Sequence, residues 1–390
     1  QLPRLYPPLV RARHAAPVVE KELDLIARLG LANYFLVVWD IVSYCRQERI
    51  LCHGRGSAAN SIVAYLLGIS AVDPLRLGLV VERFISVEHG GTPDIDIDID
   101  AARREKVIQY VYERWGRDHA AMACTYITYR SASAIRDAGF ALGFPPETIE
   151  VIASALEGQR REMELDDDGR VEQPEMPVTQ LALETSQFTG QLSTEKWQRL
   201  TTIAELLRGR PRHLGLHNGG MVVTGDLIGS LVPVEPARMP DRTVVQLDKE
   251  HLEELGIVKI DLLGLRMLAA ISDALSLIGQ AHREHINLHR LDFRDQAVYD
   301  YLCSAKTIGV FQVESGAQVS IIPDMQPRTL LDLVVEVSLI RPGPLQGNMV
   351  RPYIRRRKGL EPVTYLHPLL RPALEETLGV IIFQEQVIKV

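Results

Sequence analysis

Cysteine is scarce in this chain of 390 residues: Cys45, Cys52, Cys124 and Cys303 are spread along the sequence and form no C-x-x-C pair. That spacing excludes a zinc knuckle and a disulfide framework, and leaves reduced, structural thiols as the reading. Long apolar runs are missing too. None reaches the ~18 residues that span a bilayer, and the opening QLPRLYPPLVRARHAAPVV has no apolar signal-peptide core, so the expected location is the cytoplasm. Internal repeats and low-complexity tracts are absent. So is an excess of positive charge: a net charge of -7 argues against a small, uniformly basic nucleic-acid binder. A total does not exclude a local basic channel on a large acidic protein, however.

Apolar residues are plentiful, at 46% of the chain. That is ample for buried cores, and the length fits two or three domains of an ordinary soluble globular protein. Residues 19–47 carry helical spacing interrupted at Gly30, which predicts two helices. ILCHGRGSAANSIVAYLLGI reads as a short strand, a turn at Gly54 and Gly56, and a helix from about Ser57. The loop SAVDPLRLG leads to the strand TPDIDIDIDA, and ARREKVIQYVYERWG reads as an amphipathic helix with Arg103, Arg104 and Lys106 in its first turn. Residues 124–216 look helical, with EGQRREMELDDDGRVEQPEMP as a mobile hinge or loop inside them. Strand signals return at GGMVVTG, RTVVQL and LGIVKIDLLGL, and beyond Gly264 the pattern is helical again. Strands near 50, 95, 222, 245 and 258 are expected to form one sheet, interrupted by the helical stretch.

The strand at 92–101 poses the chemical question. Alternation sends Ile95, Ile97 and Ile99 to one face and Asp94, Asp96, Asp98 and Asp100 to the other, with successive carboxylates roughly 6.5–7 Å apart. Carboxylates so close repel and raise one another's pKa unless a cation intervenes. GIVKIDLLG also alternates, with Lys259 and Asp261 on one face. Beside the first strand, Asp261 would complete a three-carboxylate cluster with Asp94 and Asp96. Hard divalent ions prefer such oxygen ligands, and two of them ~3.5–4 Å apart are a common device for phosphoryl transfer. The alternative is a solvated, aggregation-resistant face of an edge strand.

GRGSAANS is a glycine turn entering a helix N-terminus, which favours an anion and fits a triphosphate cradle. The plainer reading is a helix start capped by Ser57. The same string fits a loose G-x-G-x-x-A fingerprint, but the acid with the right spacing, Asp73, stands before Pro74 in a loop, which speaks against a dinucleotide site. His213 and His217 have the spacing of a helical metal pair. Gly215, Gly219 and Gly220 oppose a helix there, so a loop role or core packing is preferred. The run Arg355, Arg356, Arg357, Lys358 suits phosphate contact or plain solvation. In SLIRPGPLQG the prolines stiffen a turn that either holds Arg341 toward a ligand or simply joins two domains.

Taken in order, GRGSAANSIVAYLLGIS, VDPL, ERFIS, PDIDID, GIVKIDLLGL, GVFQVES, IRPGP and GVIIFQEQVIKV resemble the bacterial DNA polymerase III alpha subunit, the C family of polymerases, across nearly the whole chain. TYRSASAIRDAG, MPDRTVVQLDKEHLEELGIVKIDLLGL and PLQGNMVRPYIRRRKG look closer to its error-prone, damage-associated branch. The resemblance implies an α/β (α+β) fold: a polymerase-beta-like nucleotidyltransferase palm (1–123 and 217–265), an inserted helical thumb (124–216) and helical fingers (266–390). It implies Asp94, Asp96 and Asp261 as catalytic ligands of two magnesium ions, with Asp98 in support. Gly54, Arg55, Gly56, Ser57, Lys259 and Arg341 would bind the nucleotide, and Arg103, Arg104, Arg355, Arg356 and Arg357 the DNA.

The implied partners are primer-template DNA and deoxynucleoside triphosphates, with a sliding clamp and accessory polymerase or repair subunits for the full-length protein, and no membrane. Three departures stand out: the acid row extends to Asp100, Gly316 stands where the family commonly has the arginine of ESRAQ, and Ala132 where it has that of YRPRSA. Losing two arginines puts primer-template grip in doubt more than chemistry. The chain is short for the family, with no N-terminal PHP-like domain and an end within the fingers, and reads as a fragment. A non-catalytic remnant that binds primer-template or partner subunits, and an untemplated nucleotidyltransferase, stay open as alternatives.

Overall fold

The computed structural model describes residues 5–7, 14–79, 81, 84–85, 93, 95–164, 194–286, 288 and 291–389. Two helices open it, α1 (Ala16–Arg28) and α2 (Ala32–Gln47), broken where expected by Gly30 with φ +69°. α2 buries Tyr34, Phe35, Val38, Ile41, Val42 and Cys45, a helical stripe, in one core with Ile95, Ile97 and Ile99. Among the described residues no single helix is long and apolar enough to cross a membrane; α1 and α2 pass such a test only as a pair bent by 112°.

Strand β1 (Cys52–Arg55) runs into a 3-10 turn, Gly56–Asn60, before helix α3 (Ile62–Leu67). The expected helix start at Ser57 is thus five residues early. The cap is Ser61, whose hydroxyl accepts the Ala64 amide at 2.8 Å. The α3 N-terminus already faces an anion, since buried Glu22 accepts the amides of Ile62 (3.0 Å) and Val63 (3.3 Å). Asp73 instead caps a short turn of helix, accepting the Leu75 amide, and has no part in a dinucleotide site.

The acid strand is β2 (Ile95–Asp100), followed by helix α4 (Arg104–Trp115) and β3 (Ala120–Thr128). Helices α5 (Ser131–Ala141), α6 (Pro146–Glu164) and α7 (Thr194–Leu207) lead to β4 (Pro211–Val223). β5 (Val234–Pro236), β6 (Thr243–Val245), α8 (Lys249–Glu254) and β7 (Lys259–Leu265) complete the mixed part. One seven-stranded sheet results, in the order β1-β2-β7-β4-β3-β6-β5. The strand signals near 50, 95, 222, 245 and 258 do share a sheet. The helical expectation for 124–216 is too wide, because β3 and β4 form a long antiparallel ribbon that occupies both of its ends. β3 begins AAMAC, buried on both faces, and so shows no alternation. The C-terminal half of the polar hinge, from residue 165, lies outside the described residues, while its start continues α6.

Four further clusters are buried among the described residues. α5, α6 and α7 bury Ile135, Ile149, Ile152 and Leu200 together. Behind β3 and β4 lie Ile228, Val232 and Leu252. After β7 come α9 (Arg266–His282), α10 (Gln296–Cys303), α11 (Gly316–Met325), α12 (Leu330–Leu339) and α13 (Val350–Arg357), the last four enclosing Tyr299, Ile322, Val335 and Tyr353.

Candidate active site

A single rung crosses four strands. Arg55 of β1 pairs in register with Asp96 of β2, Asp96 with Asp261 of β7, and Asp261 with Gly220 of β4. Neighbouring strands lie ~4.8 Å apart, and in-register side chains share a face. Two residues more than 160 positions apart therefore stand side by side through backbone pairing alone. Tyr34 fixes that register from below: its hydroxyl accepts the Ile95 amide at 2.9 Å and donates to the Lys259 carbonyl at 3.5 Å, clasping β2 to β7. Nothing in ANYFLVVWD signals that role, because the tyrosine reads there as one more apolar helix residue.

The acid row is not a solvated edge. β2 has strands on both sides, Asp98 is 7% exposed and Asp100 2%, and Asp96, Asp98 and Asp100 each have a cation nearby. Arg55 bridges two acids, with Nε 3.0 Å from Asp98 Oδ1 and Nη2 3.6 Å from Asp96 Oδ2. Asp100 lies 3.6 Å from Arg103 Nε and caps the turn before α4 by accepting the Ala102 amide. Lys259, itself buried, sets its Nζ 2.5 Å from Asp261 Oδ2. Gly56, at φ +68°, brings the turn so close that a Cβ there would sit 3.7 Å from Asp96 Oδ2. At Gly220 a Cβ would meet His217 Nδ1 at 2.7 Å and Lys259 Cδ at 2.9 Å, so the lysine stem needs that glycine.

His217 is the neighbour the sequence left unplaced. It lies on strand β4, not in a loop, and four strand positions put it ~13 Å from His213, too far for a shared metal. Its Nδ1 accepts the amides of Gly219 (3.2 Å) and Gly220 (2.6 Å), so that nitrogen carries no proton. It stands 3.8 Å from Asp261 Oδ1, beyond hydrogen-bond reach. Asp261 Oδ1 is accordingly buried without a hydrogen-bond donor. A buried carboxylate oxygen in that state is costly unless a cation or water meets it, and a hard divalent ion fits the need. Among the described residues no three His, Cys, Asp or Glu side chains gather as a complete metal set. Asp94, the expected third ligand, lies outside the described residues.

The remaining predicted residues sit elsewhere. Gly54 pairs with Ile97, and its amide donates to the Ile69 carbonyl at 2.6 Å. Ser57 belongs to the 3-10 turn. Arg103 donates to the Arg49 carbonyl at 3.0 Å. Arg104 donates to the carbonyls of Leu262 (2.6 Å) and Asn218, tying α4 to β7 and β4, and burial with the nearby Arg242 charge lowers its pKa. It is a strut behind the acids. The basic run is engaged within the protein, Arg356 and Arg357 half-buried and Arg355 and Lys358 exposed: Arg355 and Arg356 share Glu361, Arg356 also donates to the Leu378 carbonyl, Arg357 binds Asp332 and the Met325 carbonyl, both at 2.6 Å, and Lys358 pairs with Asp324. Arg341 precedes a short turn of helix without a side-chain capping bond and is exposed. Gly316 opens α11 in open space, and Ala132 packs against the α5–α7 core.

A mixed sheet with paired acids on adjacent strands, a glycine turn beside them and a helical excursion between β3 and β4 belongs to a nucleotidyltransferase class, and the family comparison agrees. Residues 4–264 match the bacterial DNA polymerase III alpha NTPase domain and residues 267–390 the finger domain of the same subunit. The chain belongs to the bacterial DNA polymerase III alpha family. Among its curated relatives, the error-prone DNA polymerase of Corynebacterium glutamicum is 49% identical over 381 residues, 98% of this chain and 32% of that protein. Those of Anaeromyxobacter dehalogenans (48% identical, 95% and 32% covered) and Mycobacterium bovis (47%, 98% and 33%) carry the same name. The resemblance to the error-prone branch is thereby borne out. The chain spans about a third of the length of the curated relatives it matches.

Proposed function

We propose that this chain supplies the nucleotidyl-transfer site of an error-prone, DNA-directed DNA polymerase acting in the synthesis that follows DNA damage. The reaction is transfer of a deoxynucleoside monophosphate to a primer 3'-hydroxyl with release of pyrophosphate. One observation carries the reading: Asp96 and Asp261 are in-register neighbours on parallel strands, and Asp261 Oδ1 is left without a donor. Asp96 and Asp261, with Asp94, would hold two magnesium ions, whose charge lowers the pKa of an attacking hydroxyl and offsets that of departing pyrophosphate.

The chain's own residues do the rest. Lys259 holds one oxygen of Asp261 and leaves the other, Oδ1, as the atom that would meet a divalent ion. Arg55, bridging Asp96 and Asp98 with its side chain 48% exposed, orients the acid and keeps a face for phosphate. Gly54 and Arg55 end the strand, the Gly54 amide being taken by the Ile69 carbonyl, and the turn that follows at Gly56 and Ser57 would face the triphosphate in place of a helix N-terminus, with Arg341 reaching the nucleotide from the C-terminal helices. Buried β-strand geometry keeps the acids preorganised. In domain terms 1–123 and 217–265 are the palm, 124–216 the thumb, with strands β3 and β4 at its two ends continuing the palm sheet, and 266–390 the fingers, a division favoured by the separate helical cores. Primer-template DNA, the sliding clamp and accessory subunits are the partners proposed for the whole protein.

The test is extension of a primed template by the purified full-length protein, with each nucleotide offered separately, with and without magnesium. The expected result is magnesium-dependent incorporation that follows the template base and vanishes in Asp96→Asn while DNA binding persists. Extension surviving in that variant would overturn the assignment, and incorporation that ignores the template would favour an untemplated transferase.

A further inference from the structure

β4 does not run straight past the acid pair. It pairs with β3 at Leu216, opposite Cys124, and again at Met221, opposite Met122, so His217, Asn218, Gly219 and Gly220 all face the single residue Ala123. A bulge of this kind bends the strand and re-aims its side chains, and the residues it takes out of the β3 ladder need other partners for their backbone groups. Two side chains supply them. Arg104 donates to the Asn218 carbonyl and, at 2.6 Å, to the Leu262 carbonyl, which ties the bulge to β7. His217 turns back over its own bulge, where its Nδ1 accepts the Gly219 amide at 3.2 Å and the Gly220 amide at 2.6 Å.

The bulge is pressed against the acid site. Gly220 pairs with Asp261. Gly219 lies so near β7 that a Cβ there would be 2.9 Å from the Leu262 carbonyl oxygen, and at Gly220 the stem of Lys259 fills the place of a side chain. From that position the lysine Nζ reaches Asp261 Oδ2 at 2.5 Å, while Oδ1 stays buried with no donor.

We propose, on the reading of Asp96 and Asp261 as a metal site, that His217 is a positioning residue for it. The imidazole clamps the β4 bulge, the bulge seats Lys259 against Asp261 Oδ2, and Oδ1 is thereby left for a divalent ion. An imidazole suits the place. Its Nδ1 serves both amides, and accepting them puts the proton of the neutral ring on Nε2. The ring stands 3.8 Å from Oδ1, beyond hydrogen-bond reach, and so takes nothing from the atom that would meet the ion. Groups that orient a ligand from behind commonly change metal affinity by about 10–100-fold when removed. An asparagine side chain carries an acceptor oxygen close to the place of Nδ1, whereas glutamine carries its own one bond further out.

The test measures manganese binding by electron paramagnetic resonance, without nucleotide or DNA, and the magnesium dependence of primer extension. The full-length wild type is compared with His217→Ala, His217→Gln and His217→Asn, each checked for folding by thermal melt. The expected result is manganese held about 10-fold or more weakly by His217→Ala and His217→Gln, with His217→Asn near the wild-type affinity. Primer extension should follow the same order through the magnesium concentration it needs, with the maximal rate recovered at saturating magnesium. Folded His217→Ala with wild-type manganese affinity overturns the proposal, and so does rescue by His217→Gln in place of His217→Asn, which would move the role to Nε2. Should His217→Ala fail to fold, the other two variants decide alone. A wild type that binds no manganese would instead overturn the metal site itself, and the clamp with it.

Discussion

Asp96 and Asp261 share a rung, yet their surroundings differ enough to separate chemistry from stability. Asp261 is buried against a buried lysine, so Asp261→Asn strands an ammonium in the interior and is expected to cost about 3–5 kcal/mol. The Asp96 side chain is 26% exposed and 3.6 Å from a half-exposed Arg55. Asp96→Asn loses that weak pair and also relieves repulsion with Asp261, for a net change within about 1 kcal/mol. Both variants should abolish primer extension, whereas chemical denaturation should distinguish them. Equal loss of stability in the two would show that the lysine pairing is not what holds Asp261.

Glu336 offers a pH signature of its own. It is fully buried on α12, neither carboxylate oxygen has a hydrogen-bond partner, and burial raises its pKa to about 7 despite the Arg357 charge. Since its folded value lies above the ordinary 4.5, the native state binds the extra proton between those limits. The stability tied to protonated Glu336 is full below pH 4.5 and lost as pH rises through 7, on the order of 3 kcal/mol. In Glu336→Gln that slope should disappear from urea-denaturation stabilities measured across the window. A variant that keeps the wild-type slope would move its origin to another group.

At the level of elements, the strands that carry the acids were legible because alternation survives where polar residues share one buried face, as in Ile95–Asp100 and Lys259–Leu265. β3 was not, since its alanines and Met122 are buried on both sides and leave no period. The helix start near Ser57 was misplaced because GRGSAANS contains two usable caps, and Glu22, distant in sequence, selects Ser61. The partners of a basic run are equally invisible in sequence. Arg357 looked like a phosphate contact and proves to join α13 to α11 and α12. Arg357→Ala is therefore expected to lower stability by about 2–3 kcal/mol, the loss of charged hydrogen bonds. Arg341→Ala, at an exposed position, should change stability by less than about 0.5 kcal/mol while weakening nucleotide binding. Thermal melts and nucleotide titration of the two variants check this, and a reversed pattern would return the basic run to the ligand.

For the whole molecule, the order of mixed and helical segments was readable, and so was the family, because motifs carry both over a distance that local spacing does not. The sheet gathers strands from residue 52 to residue 265, so its site exists only when the chain has closed around the α5–α7 excursion. A chain of net charge -7 has no general attraction for a polyanion. The affinity for DNA proposed above would therefore have to come from local surfaces and from metal at the acid pair, and it is the metal on which the proposal depends. The most direct measurement is manganese binding followed by electron paramagnetic resonance, in wild type, Asp96→Asn and Asp261→Asn, without nucleotide or DNA. The account predicts saturable binding by the wild type that is lost or greatly weakened in both variants; manganese held as tightly by folded Asp261→Asn as by the wild type would contradict it.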